Sequence, residues 1–156
     1  MDSFPAIEID KVKAWDFRLA NINTSECLNV AYGVDANYLD GVGVSITSIV
    51  LNNRHINLDF YIIADVYNDG FFQKIAKLAE QNQLRITLYR INTDKLQCLP
   101  CTQVWSRAMY FRLFAFQLLG LTLDRLLYLD ADVVCKGDIS QLLHLGLNGA
   151  VAAVVK

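Results

Sequence analysis

The sequence predicts an α/β protein built on a mostly parallel sheet. Apolar runs of strand length alternate along it with segments of helical spacing, the pattern of βαβ units. Apolar residues make up 54% of the chain and charged residues only 19%, as expected when strands are buried on both faces. The length, 156 residues, suits about one domain, and so much apolar surface excludes intrinsic disorder. With 8 Gly and 2 Pro the chain is no low-complexity linker.

Residues 1–27 are mixed and polar and are expected to form an irregular lead-in to the domain, which occupies 28–156. Leu28 to Val34 reads as a strand ending at Asp35. Val42 to Asn52 places Val42, Ile46, Ile49 and Val50 at helical spacing, although its β-branched residues lower helix propensity. Leu58 to Ala64 reads as a second strand. Phe71 to Asn82 is an amphipathic helix with Phe72, Ile75, Ala76 and Ala79 on one face. Leu84 to Ile91 alternates and reads as a third strand, and Ser106 to Leu119 as a long helical segment. Arg125 to Leu129 is a fourth strand, Ser140 to Leu143 one helical turn, and Ala150 to Val155 a fifth strand. The sequence stops at Lys156 directly after that apolar run, which suggests an N-terminal piece of a longer protein.

The charge is nearly balanced, 14 basic against 16 acidic residues, which argues against a general nucleic-acid binder. The first ten residues carry acids where an export signal needs a basic and then an apolar region. Met109 to Leu123 contains Arg112 and Gln117, and Ile139 to Val155 contains Ser140, Gln141, His144 and Asn148. Neither is a clean membrane span. The expectation is a cytoplasmic chain. Four scattered cysteines, Cys27, Cys98, Cys101 and Cys135, fit a reducing compartment. Cys98 and Cys101 have C-x-x-C spacing, but a polar stretch separates them from the preceding strand, and no matching pair completes a zinc site. Gly41-Val42-Gly43 lacks the third glycine of a dinucleotide fingerprint.

Ligands of open α/β sheets bind at the carboxyl ends of the strands. That rule selects two places. Asp130-Ala131-Asp132 sets two carboxylates two residues apart at the tip of an apolar strand, where each raises the other's pKa unless a cation intervenes. A hard divalent ion that also bridges phosphate oxygens would do this; a solvated turn is the plain alternative. At Gly33-Val34-Asp35-Ala36-Asn37-Tyr38 the glycine permits close approach of a ligand. Asp35 and Asn37 suit a base and a ribose, and Tyr38 offers a stacking face. The alternative there is a helix N-cap. Arg112 lies in an apolar helical segment and needs a partner: a phosphate, a sugar hydroxyl or the Asp130/Asp132 pair, unless it snorkels to the surface.

Together the Gly33–Tyr38 loop, Tyr110-Phe111-Arg112-Leu113 and Leu127-Tyr128-Leu129-Asp130-Ala131-Asp132 resemble the N-terminal half of the retaining family 8 glycosyltransferases. The similarity is greatest to the bacterial enzymes that add hexoses to the lipopolysaccharide outer core. The resemblance implies a GT-A fold, a Rossmann-like and mostly parallel sheet, here incomplete. It implies that Gly33, Val34, Asp35, Asn37 and Tyr38 hold uridine and ribose, with Ala36 in the same loop. Asp130 and Asp132 would bind Mn²⁺ or Mg²⁺, Ala131 would lie beside the nucleotide, and Arg112 would contact the donor sugar and phosphates. The donor would be UDP-glucose or UDP-galactose. The acceptor would be the lipopolysaccharide core, reached by peripheral contact with the cytoplasmic face of the inner membrane through a C-terminal part absent here. The family's third metal ligand is a downstream histidine that neither His55 nor His144 matches, so the 156 residues alone are expected to transfer nothing. Two other readings compete: a haloacid-dehalogenase-type phosphohydrolase, with Asp130 as nucleophile and Asp132 as acid/base, and a non-catalytic nucleotide-binding module.

Overall fold

The computed structural model describes residues 8–18, 26–102 and 106–154. The strands are β1 (Ile9–Asp16), β2 (Cys27–Val34), β3 (Asn57–Ala64), β4 (Arg85–Ile91) and β5 (Leu127–Tyr128). They form one sheet in the order β1-β4-β3-β2-β5. All neighbours are parallel except β1 and β4. The helices are α1 (Leu39–Asn52), α2 (Asp69–Asn82) and α3 (Phe111–Leu119).

Alternation along the strands sorts the side chains into two cores. Leu28, Val30, Tyr32 and Val34 of β2 pack with Phe60 and Ile62 of β3 beneath α1 and α2. Ala31, Tyr61 and Ile63 face the other way, onto Phe111, Phe114, Ala115 and Leu119 of α3. The sheet is therefore covered on both faces, as its apolar composition requires. Asn68 starts α2 by accepting from the Phe71 N–H at 2.8 Å. Gln83 ends it in the left-handed conformation, φ 56°.

Three expectations need correction. The stretch read as irregular contains β1, antiparallel to β4. A bulge between Lys11 and Lys13 slips its register, so Val12 and Trp15 join one core and Ile9 the other without regular alternation in sequence. The fifth strand expected at Ala150–Val155 does not form: 150–154 is irregular, Val151 and Val154 are exposed, and residue 155 lies outside the described residues. Apolar content alone does not make a strand without a ladder to join. The segment Ser106 to Leu119 divides into a 3-10 helix, Arg107–Tyr110, followed by α3. Elsewhere α1 begins at Leu39 and α2 at Asp69, earlier than their apolar periodicity indicates. A 3-10 helix, Ser140–His144, stands where one turn was expected.

Candidate functional site

The carboxyl end of β2 opens into the first loop. Asp35 has extended backbone, and its carboxylate accepts the Asn37 N–H at 3.0 Å, capping the 3-10 turn Ala36–Tyr38 that leads into α1. The capping alternative for this loop is therefore realised, and Asp35 keeps one carboxylate oxygen outside that bond. Gly33 is required by packing. A Cβ there would lie 2.7 Å from both the Phe111 Cβ and the Tyr128 hydroxyl. Its absence lets α3 and β5 close onto β2.

β5 places the second loop. Only Leu127 and Tyr128 are in its ladder, and the Leu129 N–H donates to the Ala31 carbonyl at 3.0 Å. The chain then turns, with the Val133 N–H on the Asp130 carbonyl at 3.2 Å. Ala131 is 8% exposed and presses its carbonyl toward the first turn of α1, where a Cβ on Gly41 would come within 2.9 Å of it. Beyond the turn the chain is stitched along α1. The Cys135 N–H donates to Ser48 Oγ at 2.9 Å, and Asn52 Nδ2 donates to the Cys135 carbonyl at 3.1 Å. Buried Asn53 donates to the Gly137 carbonyl at 3.3 Å and accepts from the Ile139 N–H at 2.8 Å. These contacts leave Asp130 and Asp132 at the exposed crest of the turn, flanking an inward Ala131.

Arg112, in the first turn of α3, reaches across to them. Its Nη2 donates to Asp130 Oδ1 at 3.1 Å, and its guanidinium lies 5.3 Å from the centre of the Tyr128 ring. Of the partners the sequence allows, it meets Asp130 of the carboxylate pair, and its 44% exposed side chain also agrees with the snorkelling alternative. Burial pushes the Tyr128 phenol above its ordinary pKa. At the neighbouring strand tip, β3 ends beside Asp65, whose carboxyl is raised by burial with a further contribution from Asp35. Its Oδ1 is buried without a hydrogen-bond partner among the described residues.

These pieces converge on a cavity of about 200 Å³ at the carboxyl edge. Gly33, Val34, Asp35 and Tyr38 form one wall, and Asp130, Ala131, Asp132 and Arg112 the facing one. Ala36 and Asn37 do not line it; they lie on the exposed outer side of the loop. Ser106, Ala108, Met109 and Tyr128 complete the lining. Neither they nor Gly41 were identified from sequence. A glycine in a helical run hints at a close approach, but Gly43 shares that feature and meets nothing, so the sequence does not single out Gly41. A larger cavity, about 350 Å³, lies at the amino edge among Arg18, Asn53, Arg54 and Gln83. It contains none of the predicted residues. Its Arg18 is engaged by Asp16 and Asp59 at 2.6 and 3.2 Å.

The donor set fits a shared metal, not an enclosed one. Among the described residues no three His, Cys, Asp or Glu side chains gather to hold an ion alone. Asp130 and Asp132 are exposed hard-oxygen donors, and Mg²⁺-type ions commonly take one or two carboxylates plus substrate phosphates. His55 faces Asp138 and His144 faces Glu26, each at 3.5 Å, and neither histidine lines the cavity. Cys98 and Cys101 are exposed thiols away from it. No helix among the described residues is long and apolar enough to cross a membrane.

The architecture is a GT-A glycosyltransferase fold. The galactosyltransferase LgtC, solved with donor and acceptor sugar analogues, superposes with TM-score 0.63 at 19% identity, covering 74% of this chain and 41% of that one. The WbbM bifunctional glycosyltransferase gives 0.62 at 22%, covering 83% and 23%. Residues 29–156 match glycosyl transferase family 8, and the chain belongs to that family. It is 38% identical over 149 residues to a lipopolysaccharide 1,2-glucosyltransferase of Escherichia coli, covering 96% of this chain and 42% of the relative. It is also 38% identical over 141 residues to a lipopolysaccharide 1,3-galactosyltransferase of Salmonella typhimurium, covering 90% and 42%. The chain thus spans less than half the length of these relatives.

Proposed function

We propose that this chain is the donor-binding half of a hexosyltransferase that moves glucose, or alternatively galactose, from a UDP-sugar to the lipopolysaccharide outer core with retention of configuration. The observation that carries the reading is the convergence, in one carboxyl-edge cavity of a family 8 chain, of the Gly33–Tyr38 loop, Arg112 and the Asp130–Asp132 turn. The names of the relatives above support the acceptor class and leave both hexoses open. Cytoplasmic work at the inner-membrane face belongs to the same proposal.

In this reading the Asp35 oxygen outside the capping bond meets uracil or ribose, and the exposed Tyr38 ring covers the nucleoside. Arg112 turns its guanidinium from Asp130 toward the phosphates, for which its planar fork is suited. Asp130 and Asp132 would hold Mn²⁺ or Mg²⁺. When bound, the ion would supply Lewis-acid neutralisation of the charge that develops on the departing diphosphate. Ala131, pressed against Gly41, keeps the turn from folding away from the donor. No nucleophile is assigned in this chain, whose part is donor binding. Alone, it is expected to bind UDP weakly at best and to transfer nothing.

The phosphohydrolase alternative, with a phosphorylated Asp130, finds no support in the family match. Calorimetric titration with UDP, with and without Mn²⁺, tests the proposal. Metal-dependent affinity that Asp130→Ala removes is the expected result. Equal UDP affinity in both variants and both conditions would remove the metal from the scheme, and no UDP binding would favour a scaffold. In the longer protein, Asp130→Ala should abolish transfer.

A further inference from the structure

Arg112 is a long cation on a helix surface, its side chain 44% exposed, and Asp130 is more exposed still at 59%. A solvated ion pair of this kind does little to hold a guanidinium in one place. The second contact is with the Tyr128 ring, 5.3 Å below the guanidinium carbon. Arginine favours aromatic faces for this kind of stacking. The ring is itself fixed. Phe116, one turn along α3 from Arg112, packs against it at 5.8 Å and 52°. The Tyr128 backbone pairs with Ala31 in the ladder, and its hydroxyl donates to the Gly33 carbonyl at 3.4 Å, in space that the missing Gly33 side chain leaves open. Tyr128 therefore touches all three parts of the site: the strand that carries Asp130, the helix that carries Arg112, and the start of the Gly33–Tyr38 loop.

We propose that Tyr128 is a positioning residue of this site: its ring holds the Arg112 guanidinium over the cavity, and its hydroxyl ties that cation to the loop beginning at Gly33. The consequence for ligand affinity rests on the donor-binding reading above, but the placement of Arg112 does not.

The test has two arms on the 156-residue chain. In the ligand-free protein, ring currents should displace the Arg112 side-chain proton resonances upfield. Tyr128→Phe should keep the displacement and Tyr128→Leu should remove it. The wild-type spectrum needs no variant, so resonances at ordinary positions overturn the proposal even if Tyr128→Leu fails to fold. The second arm is UDP affinity with Mn²⁺. Loss of a charge-assisted contact should weaken binding about tenfold or more in Arg112→Ala. Tyr128→Leu should lose a similar factor, Tyr128→Phe clearly less, and the Arg112→Ala/Tyr128→Leu pair no more than either alone. Multiplying losses in the double variant would mean that Tyr128 acts through something other than Arg112, and would overturn the proposal. If wild-type chain shows the displaced resonances but binds no UDP, the donor reading fails and the placement of Arg112 stands.

Discussion

Gly41 and Gly43 lie two residues apart in α1, yet replacing each with alanine should have opposite effects. A Cβ on Gly43 meets nothing within 4 Å, whereas one on Gly41 lies 2.9 Å from the Ala131 carbonyl oxygen. Either change gains up to about 1 kcal/mol of helix propensity. Only Gly41→Ala forces a backbone atom back by a few tenths of an ångström, and overpacking of this kind costs about 1–3 kcal/mol. Gly43→Ala should therefore stabilise by about 1 kcal/mol, raising Tm by roughly 2–4 °C in a chain of this size. Gly41→Ala should come out between about neutral and 2 kcal/mol destabilising. Because the displaced carbonyl sits between Asp130 and Asp132, it should also weaken Mn²⁺-dependent UDP binding, which Gly43→Ala should spare. Thermal unfolding by circular dichroism and UDP titration read both effects. If Gly41→Ala raises Tm as much as Gly43→Ala does, the close seating of the Asp130–Asp132 turn on α1 is refuted.

Gly33→Ala should cost about 1–3 kcal/mol by wedging Phe111 and Tyr128 away from β2, a lower urea midpoint being the check. Asn53→Ala removes a buried amide that bonds the Ile49 and Gly137 carbonyls and the Ile139 N–H, and should cost about 1–3 kcal/mol, with faster hydrogen exchange at the Ile139 amide. Asp59 is buried at the amino edge with Arg18 and Arg85 at 3.2 and 3.4 Å. Asp59→Ala should destabilise by about 1–3 kcal/mol, not more, because both arginines are partly exposed and can turn to water. Asp65 supplies a pH test. Its folded pKa is raised, so the native state holds the proton more tightly than the unfolded chain. Its contribution to stability therefore falls as pH rises from the unfolded value to the folded one, and stays low above that. Asp65→Asn should raise stability at pH 7 relative to wild type, and the gain should shrink toward zero below about pH 3.9. A gain independent of pH would show that ionisation of Asp65 is not the cause.

The parallel core was legible because its strands are buried on both faces and leave continuous apolar runs, such as residues 60–64. The edge strand β1 and the end of the sequence were not, although the other edge, β5, falls within the strand read at 125–129. β1 shows half-buried residues at Ile9, Val12 and Trp15, a spacing of three that accompanies a bulge, breaks period 2 and is closer to a helix face than to a strand. The Ala150–Val155 run has strand composition, but pairing is a property of a neighbour and cannot be read from the run itself. Of the residues that line the candidate site, the sequence singles out Asp130, Asp132 and Arg112, whose charges interrupt apolar sequence. The site was illegible where the requirement is shape. Nothing in the residue type of Gly41 or Tyr128 distinguishes a close approach or a supporting ring from ordinary packing.

That difference bears on what holds the acidic turn in place. A two-residue strand gives β5 little purchase on the sheet, with ladder partners only at Val30 and Ala31. The turn that follows is fixed instead by α1, through Gly41 at one end and Ser48, Asn52 and Asn53 at the other. The same helix begins at the Asp35-capped loop. One rigid helix therefore sets the distance between the two walls of the cavity, and α3, closed onto β2 at Gly33, sets the position of the cation between them. Precision at the site then depends less on the strand that carries the carboxylates than on two helix-to-backbone approaches, each of which exists only because a glycine stands there.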